Sequence, residues 1–432
     1  MNFVFEDIEN KLNLISANTL QDAAEGNYRY NQSPLSNDIN DLWNTNRKLW
    51  KEYTPKISSV EKRPRKYIIP VGLNESPSEW AEGYDTKTKT VHSDLIFSNL
   101  RPEYKKDLQI GRAFLLLDAS LEGYHEDWMF DYIYAQCKQY KIAFSRIILV
   151  TGNVLLEERY SKWSKKNKIK DNLLPLGYPH FLYEVYKNTW TREFVDYAPV
   201  IGYDQHLQHK GETTKLFSCT NKRPRPHRVW LYNELSKAGL IEKGVVSMSD
   251  FDTSIEYKEG AVKINNSELS KLKHTLPMEP YGVSFKGVPT TFFINRFNEK
   301  HALDTWINVV SEARYYDGEN TIFLSEKIFK AIALEQPFII VGNKDSLSSL
   351  RKLGFKTFSK YFNETYDTLG YKDRIAAVVK LLKEIDLIED KLGWYKDMKE
   401  DLKHNSQLLK VLSKDKVNVH IDRLFKHFHS TY

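Results

Sequence analysis

The stretch TIFLSEKIFKAIALEQPFIIVG, Thr321 to Gly342, decides how this chain is read. An apolar run ending at Leu324 leads into a helix-like segment. That segment feeds a second apolar run, PFIIVG, of buried-strand character. Ser325 stands where a helix N-cap belongs, and Glu326 and Lys327 fall in the first turn. Glu326 suits the positive end of a helix dipole. Lys327 does not, and a cation there calls for an anion nearby. A bound phosphate would supply it, and the two oxygens of Glu326 suit a ribose diol, as acidic residues do in dinucleotide folds. The plain alternative is an ordinary helix start with its charges turned to water.

The same texture extends outward in both directions. KYIIPVG from Lys66, FLLLDAS from Phe114 and RIILVTGN from Arg146 read as buried strands, with a helical DWMFDYIYAQCKQYKI between the last two. A second series follows: strand KLFSC, helix VWLYNELSKAGL with Gly239 near its end, strand WINVVSE, the opening stretch, helix LSSLRKLGF, and KTFSKYF as a short strand or turn. Continuous apolar strands alternating with helices argue for parallel sheets covered on both faces, with ligands at the C-terminal strand edges. The expected fold is α/β: two Rossmann-like parallel-sheet domains facing across a cleft, with an N-terminal extension and C-terminal helices. The expected division is 1–60, 61–205, 206–375 and 376–432. In the first part, NDINDLWNTNRKLWKEY reads as an amphipathic helix burying Leu42, Trp43, Leu49 and Trp50. Residues 185–212 read as a connection with little periodicity.

Bulk composition narrows the class. At roughly 100–200 residues per domain, 432 residues predict at least two domains. A content of 41% hydrophobic and 28% charged residues excludes wholesale disorder. The net charge of +6 permits a polyanionic partner without demanding one. Two cysteines, Cys137 and Cys219, exclude a disulfide framework as the stabilising strategy. The start MNFVFEDIENKLNL lacks a signal-peptide pattern, and no run approaches the roughly 18 apolar residues of a membrane helix. A cytoplasmic protein with no membrane span is expected. No metal site is read either: there is no DxD between apolar strands, HLQH falls in the connection, and HFH lies near the C-terminal end.

The second chemistry-bearing stretch is a basic loop between a strand and a helix: Asn221, Lys222, Arg223, Pro224, Arg225, Pro226, His227, Arg228. Guanidinium forks match phosphate oxygens, and the following helix adds free N–H groups and a positive dipole end. The prolines stiffen the loop. A diphosphate fits; a solvated basic turn is the alternative.

These stretches together carry a resemblance. FLSEKIFKAI, QPFIIVG, VVSEARYY, LRKLGFKTF and NETYD, with NKRPRPHR before a helix, resemble the nucleotide-sugar glycosyltransferases of GT-B architecture, as in the fucosyltransferases. The segment is also similar to glycosyltransferase-like proteins of large bacterial viruses. The likeness covers about residues 212–375 and extends to the first half by architecture only. It implies that Glu326 and Ser325 serve the donor's nucleoside side and Lys327 its diphosphate. Arg223 would also face the diphosphate, with Arg225 or Arg228 as substitutes. Glu312 falls where that family places an acidic or amide residue near the donor. The retaining pattern of two glutamates enclosing seven residues is not met, since Glu319 and Glu326 enclose six. An inverting mechanism is the expectation, with cations in place of a metal and no cofactor beyond the nucleotide-sugar itself.

Inversion requires a general base. Glu122 is the leading candidate and Asp118 the second, both in FLLLDASLEGYHEDW, with His125 and Glu126 behind them; each is also an ordinary loop or cap carboxylate. Asn153, in GNVLLEE, is placed against acceptor or donor sugar. SKWSKKNKIK, with Lys162, Trp163, Lys165 and Lys166, combines charge with an aromatic ring and suits nucleic acid. A solvated loop is its ordinary reading. The function expected is sugar transfer from a nucleotide-sugar to an acceptor hydroxyl, the acceptor a hydroxymethylated base in double-stranded phage DNA. The alternatives are a glycan or cell-surface precursor as acceptor, and a non-catalytic nucleotide- or nucleic-acid-binding protein of the same fold.

Overall fold

The computed structural model describes residues 67–72, 84–85, 88, 90–91, 97, 100, 102–121, 123, 127–190, 201–221, 224–248, 258–259, 262–263, 299–315 and 321–430. The amphipathic helix read around Leu42 and Trp50 lies outside them. The chain forms two units. One comprises residues up to His180 together with Asp415–Tyr432, and the other comprises Phe181–Lys414. The sequence had put the division near 205.

The first unit is built on a four-stranded parallel sheet in sequential order: β1 (Tyr67–Gly72), β2 (Ala113–Ala119), β3 (Ile147–Thr151) and β4 (Leu174–Gly177). Every residue of β2 and β3 is buried. A strand covered on both faces has no solvent side to mark, so it reads as an unbroken apolar run. Helices α1 (Pro102–Gln109), α2 (Asp127–Gln139) and α3 (Leu156–Lys166) connect the strands. The core joins Leu115 and Leu117 of β2 to Met129, Phe130 and Ile133 of α2 and to Tyr160 and Trp163 of α3. β4 escaped the sequence reading because it is LPLG, four residues with a proline. It is an edge strand, where a missing N–H is tolerated.

The C-terminal residues complete this unit. Arg423 donates to the Glu157 carboxylate at 2.6 Å and to the Pro175 carbonyl at 2.9 Å. His420 bonds the Gly177 carbonyl at 3.2 Å and His427 the Ser145 carbonyl at 2.8 Å.

In the second unit, α4 (His180–Trp190) and α5 (Tyr203–His209) occupy part of the stretch read as an irregular connection. Then come β5 (Lys215–Asn221), α6 (Pro226–Lys237) and β6 (Gly244–Met248), followed by α7 (Glu299–Leu303), β7 (Thr305–Ser311), α8 (Glu326–Ala333), β8 (Phe338–Val341) and α9 (Ser346–Lys352). The sheet is parallel, in the order β8-β7-β5-β6. The chain steps from β5 outward to β6, then returns to the other side of β5 for β7 and β8. β5 and β7 are therefore neighbours whose connections leave in opposite directions, and a crevice opens at their C-terminal ends. KTFSKYF forms turns rather than a strand. Helices α10 (Tyr371–Asp386), α11 (Lys391–Asp397) and α12 (Lys399–Ser430) close the chain. The described part of the fold is thus two Rossmann-like parallel-sheet units with helical extensions.

At the opposite, N-terminal edge of the second sheet, Lys210 is 2% exposed. Its ammonium donates to the Thr305 carbonyl at 2.5 Å and lies 5.1 Å and 4.8 Å from the Trp306 and Tyr395 ring centres. Burial pushes its pKa down to about 7, against the pull of Asp304. The unfolded chain therefore binds the extra proton between pH 7 and the ordinary value of 10.5. Stability lost to this lysine is lost in full below that window and regained as pH rises through it. Lys210→Met should remove that part of the pH dependence. In urea melts at pH 7 and pH 10, wild type should gain stability relative to the variant at the higher pH; parallel pH profiles would contradict the assignment.

Candidate functional site

The C-terminal ends of β5 and β7 receive the first turn of α6. The backbone leaves β5 at Asn221, and Arg225, in extended conformation, is the N-cap of α6 with Pro226 at its first position. Proline there loses no hydrogen bond and presets the helical φ. The two side chains that follow reach across the crevice. His227 donates from Nε2 to the Glu312 carbonyl at 2.9 Å. Arg228 donates from Nη2 to the carbonyls of Ser311 and Glu312 at 3.3 Å and 3.2 Å. Arg228 is buried, and its pKa is pushed down to about 10 by burial and by Arg225, with Glu326 and Glu312 opposing. It fixes the end of β7 and adds charge to the site from behind; the expected direct contact with a diphosphate is corrected to this anchoring role. Arg225 is half-buried at the helix start. Lys222 and Arg223 lie outside the described residues.

The second helix start faces the same edge. Ser325 is the N-cap of α8, its hydroxyl accepting from the Lys327 N–H at 3.3 Å. Glu312 sits behind it. One carboxylate oxygen accepts from the Ser325 N–H at 3.1 Å; the other accepts from the Ser325 hydroxyl at 2.5 Å and the Ala313 N–H at 3.2 Å. Burial pushes the Glu312 carboxyl up, while Lys327 and the Ser325 bonds pull it down. Glu312 is fully buried, so its expected place beside a ligand is corrected: it supports the cap. Gly342 makes that possible, because a Cβ there would stand 3.2 Å from the Glu312 side chain.

Lys327, the awkward residue of the sequence, has found an anion in the chain. Its ammonium lies 2.5 Å from the Glu326 carboxylate and 3.3 Å from the Ser325 hydroxyl. Burial alone would raise the Glu326 carboxyl, but Lys327 and Lys330 together hold it below its ordinary value. Lys330 was not singled out in the sequence. It lies one helical turn on from Glu326, and burial pushes its pKa down to about 8. The site therefore gathers Arg225, Arg228, Lys327 and Lys330 against Glu312 and Glu326, an excess of positive charge at two helix N-termini.

Two further residues were missed. The Tyr315 ring is stacked on His227 at 5.2 Å and 8° on one contact and lies 5.1 Å from the Arg374 guanidinium on another. Arg374, buried, donates to the carbonyls of Gly342, Tyr315 and Leu369 at 2.6, 3.0 and 2.7 Å. No spacing rule marks an arginine whose partners are carbonyls on three loops.

No family model matches the chain, and no curated protein does. Solved structures resemble it at a distance. The α,α-trehalose-6-phosphate synthase of Burkholderia multivorans is 9% identical, over 84% of this chain and 72% of its own, with a TM-score of 0.36. The E. coli trehalose-6-phosphate structure bound with UDP-2-fluoro glucose is 9% identical, over 82% and 73%, at 0.36. An α1,3-fucosyltransferase is 13% identical, over 80% and 83%, at 0.26. At these values likeness carries no weight for the chemistry, which rests on the residues.

In the first unit, Asp118 lies at the C-terminal edge of β2, as expected. It is buried, and its carboxylate accepts from the Ser120 N–H at 2.9 Å, the bond of an Asx turn. Glu122, His125 and Glu126 lie outside the described residues. Asn153 is buried too, its side-chain oxygen accepting from the Leu155 N–H at 3.0 Å. It turns the chain into α3, which corrects its expected contact with a sugar. The basic run needs the largest correction. Trp163 is 4% exposed, packed on Phe130 and Tyr160, and its indole donates to Asp131 at 3.0 Å. No face is left for a base to stack on. Lys162 pairs with Glu158 at 2.6 Å on the helix surface. Lys165 and Lys166 are exposed at the C-terminal end of α3. Because β3 and β4 are parallel, α3 must run back along the sheet, about 16 Å for its 11 residues. These lysines therefore lie toward the N-terminal edge of the sheet, away from the GNVLLEE loop. Among the described residues no cluster of His, Cys, Asp and Glu is placed to hold a metal ion, and no helix is long and apolar enough to cross a membrane.

Proposed function

We propose that the second unit holds the nucleoside diphosphate of a nucleotide-sugar and that the protein transfers the sugar to an acceptor hydroxyl in the manner of a GT-B glycosyltransferase. One observation carries the reading: two helix N-termini and an excess of cations meet at the C-terminal ends of β5 and β7, the switch point where α/β sheets take ligands. Glu326 would hold the ribose hydroxyls. Lys327 and Arg225, with Arg223 from the same loop, would take the diphosphate oxygens. The acceptor oxygen forms a bond to the anomeric carbon as the bond from that carbon to the phosphate oxygen breaks. The leaving diphosphate keeps the electron pair, and the cations compensate its growing charge. A base takes the acceptor proton, with Glu122 the sequence candidate and inversion the expected outcome.

For the acceptor, a glycan or cell-surface precursor is the better reading. The basic run, one of the features that favoured DNA beside the mild positive charge and the lack of an export signal, offers no stacking face: Trp163 is buried, and Lys165 and Lys166 lie toward the other edge of the sheet. A second reading, nucleotide binding without transfer, is favoured by the burial of Asp118 and its commitment to Ser120.

The test is thermal unfolding with UDP-, GDP- and CMP-sugars. A ligand at 100 times its Kd stabilises by about 2.7 kcal/mol, which for a unit of this size raises Tm by roughly 5–10 °C. No shift with any donor would sink the donor site. A shift without sugar transfer to any glycan or hydroxymethylated DNA acceptor would favour the second reading.

A further inference from the structure

We propose that Lys330 is a positioning residue that takes over the Glu326 carboxylate when Lys327 turns to a diphosphate. The inference rests on the donor-site reading above. Lys327 is paired with Glu326, at 2.5 Å, and Glu326 is 8% exposed. Withdrawing one partner from a buried ion pair lowers an equilibrium by roughly two to three orders of magnitude. A phosphate that captured Lys327 would strand the carboxylate and bear that loss, unless a second cation stood ready.

Lys330 is placed for this. It follows Glu326 by four residues on α8, the spacing at which helical side chains meet, and side chains on a helix lean toward its N-terminus. It is half-buried, and among the described residues its ammonium makes no hydrogen bond or close ion pair, while its charge already acts on Glu326. The other groups facing Glu326 cannot substitute. Glu312, at the end of β7, has the wrong sign. Arg228, from α6, is held by the carbonyls of Ser311 and Glu312. A two-lysine relay thus makes the clamp openable: Lys327 is the mobile cation, and Lys330 stays with the carboxylate.

Two measurements test it. The first needs no ligand. Lys327→Met, Lys330→Met and the double variant are unfolded in urea. If each lysine covers for the other, the double variant loses at least tenfold more in its unfolding equilibrium than the two singles combined; additive losses overturn the proposal. The second is calorimetric titration with UDP and GDP in buffers of different ionisation enthalpy. Wild type should bind with no net proton uptake near neutral pH. Lys330→Met should bind roughly a hundred- to a thousandfold more weakly and take up close to one proton, as stranded Glu326 protonates, and Lys330→Arg should restore both. A Lys330→Met variant equal to wild type in affinity and proton count overturns the proposal. If neither nucleotide binds wild type while the urea cycle shows coupling, the donor reading fails and the exchange between the lysines stands.

Discussion

Replacing Arg374 by methionine is expected to destabilise the second unit by about 3–5 kcal/mol. Methionine fills a similar volume but donates nothing. The carbonyls of Gly342 and Tyr315 would lose a donor in a buried setting and that of Leu369 in a partly buried one, and the Tyr315 ring would lose the guanidinium beside it. An orphaned buried acceptor costs about 1–3 kcal/mol, and the three share one donor, so the losses do not simply add. Arg374→Lys should recover only part, because a single ammonium cannot span three loops as the guanidinium fork does. Urea unfolding reads the effect directly. A loss under about 1 kcal/mol would mean that water reaches these carbonyls.

The second large effect is on binding. Lys327→Ala should weaken UDP or GDP by about a hundredfold or more, the scale on which truncating one partner of a desolvated charge contact acts. Its melting should change little, because Lys330 remains beside Glu326. The free nucleoside, which offers a ribose but no phosphate, should lose far less than the diphosphate. Equal weakening of uridine and UDP in titration calorimetry would instead indicate a distorted helix start.

How far the sequence spoke depended on how local the physics was. β2, β3 and β8 were legible because burial on both faces leaves a run of adjacent apolar residues, and β7 because only Asn308 breaks its apolar stretch. The Ser325 cap and the first-turn places of Glu326 and Lys327 were legible because capping is a matter of adjacent residues. β4, LPLG, and β6, GVVSM, were hidden because proline, glycine and serine cut their apolar runs to one or two residues. Lys327 showed the limit: its discomfort at a positive helix end was real, but a one-residue reading could not see that Glu326 answers it. Trp163 misled because a basic run with an aromatic looks alike whether the ring faces water or the core; only the packing of α2 against α3 decides. The partners of His227 and Arg374 were invisible, since they are backbone carbonyls distant in the chain.

One feature of chain order bears on how the protein is made. The residues from Asp415 onward belong to the unit that begins first, so its folding must wait for the 234 residues from Phe181 to Lys414 to be synthesised. At about 5–20 residues per second that interval is roughly 10–50 s. Until it ends, Glu157 and the carbonyls of Pro175, Gly177 and Ser145 lack Arg423, His420 and His427. The β4 edge of the nascent first unit therefore stays without these partners until the last turns of the final helix arrive.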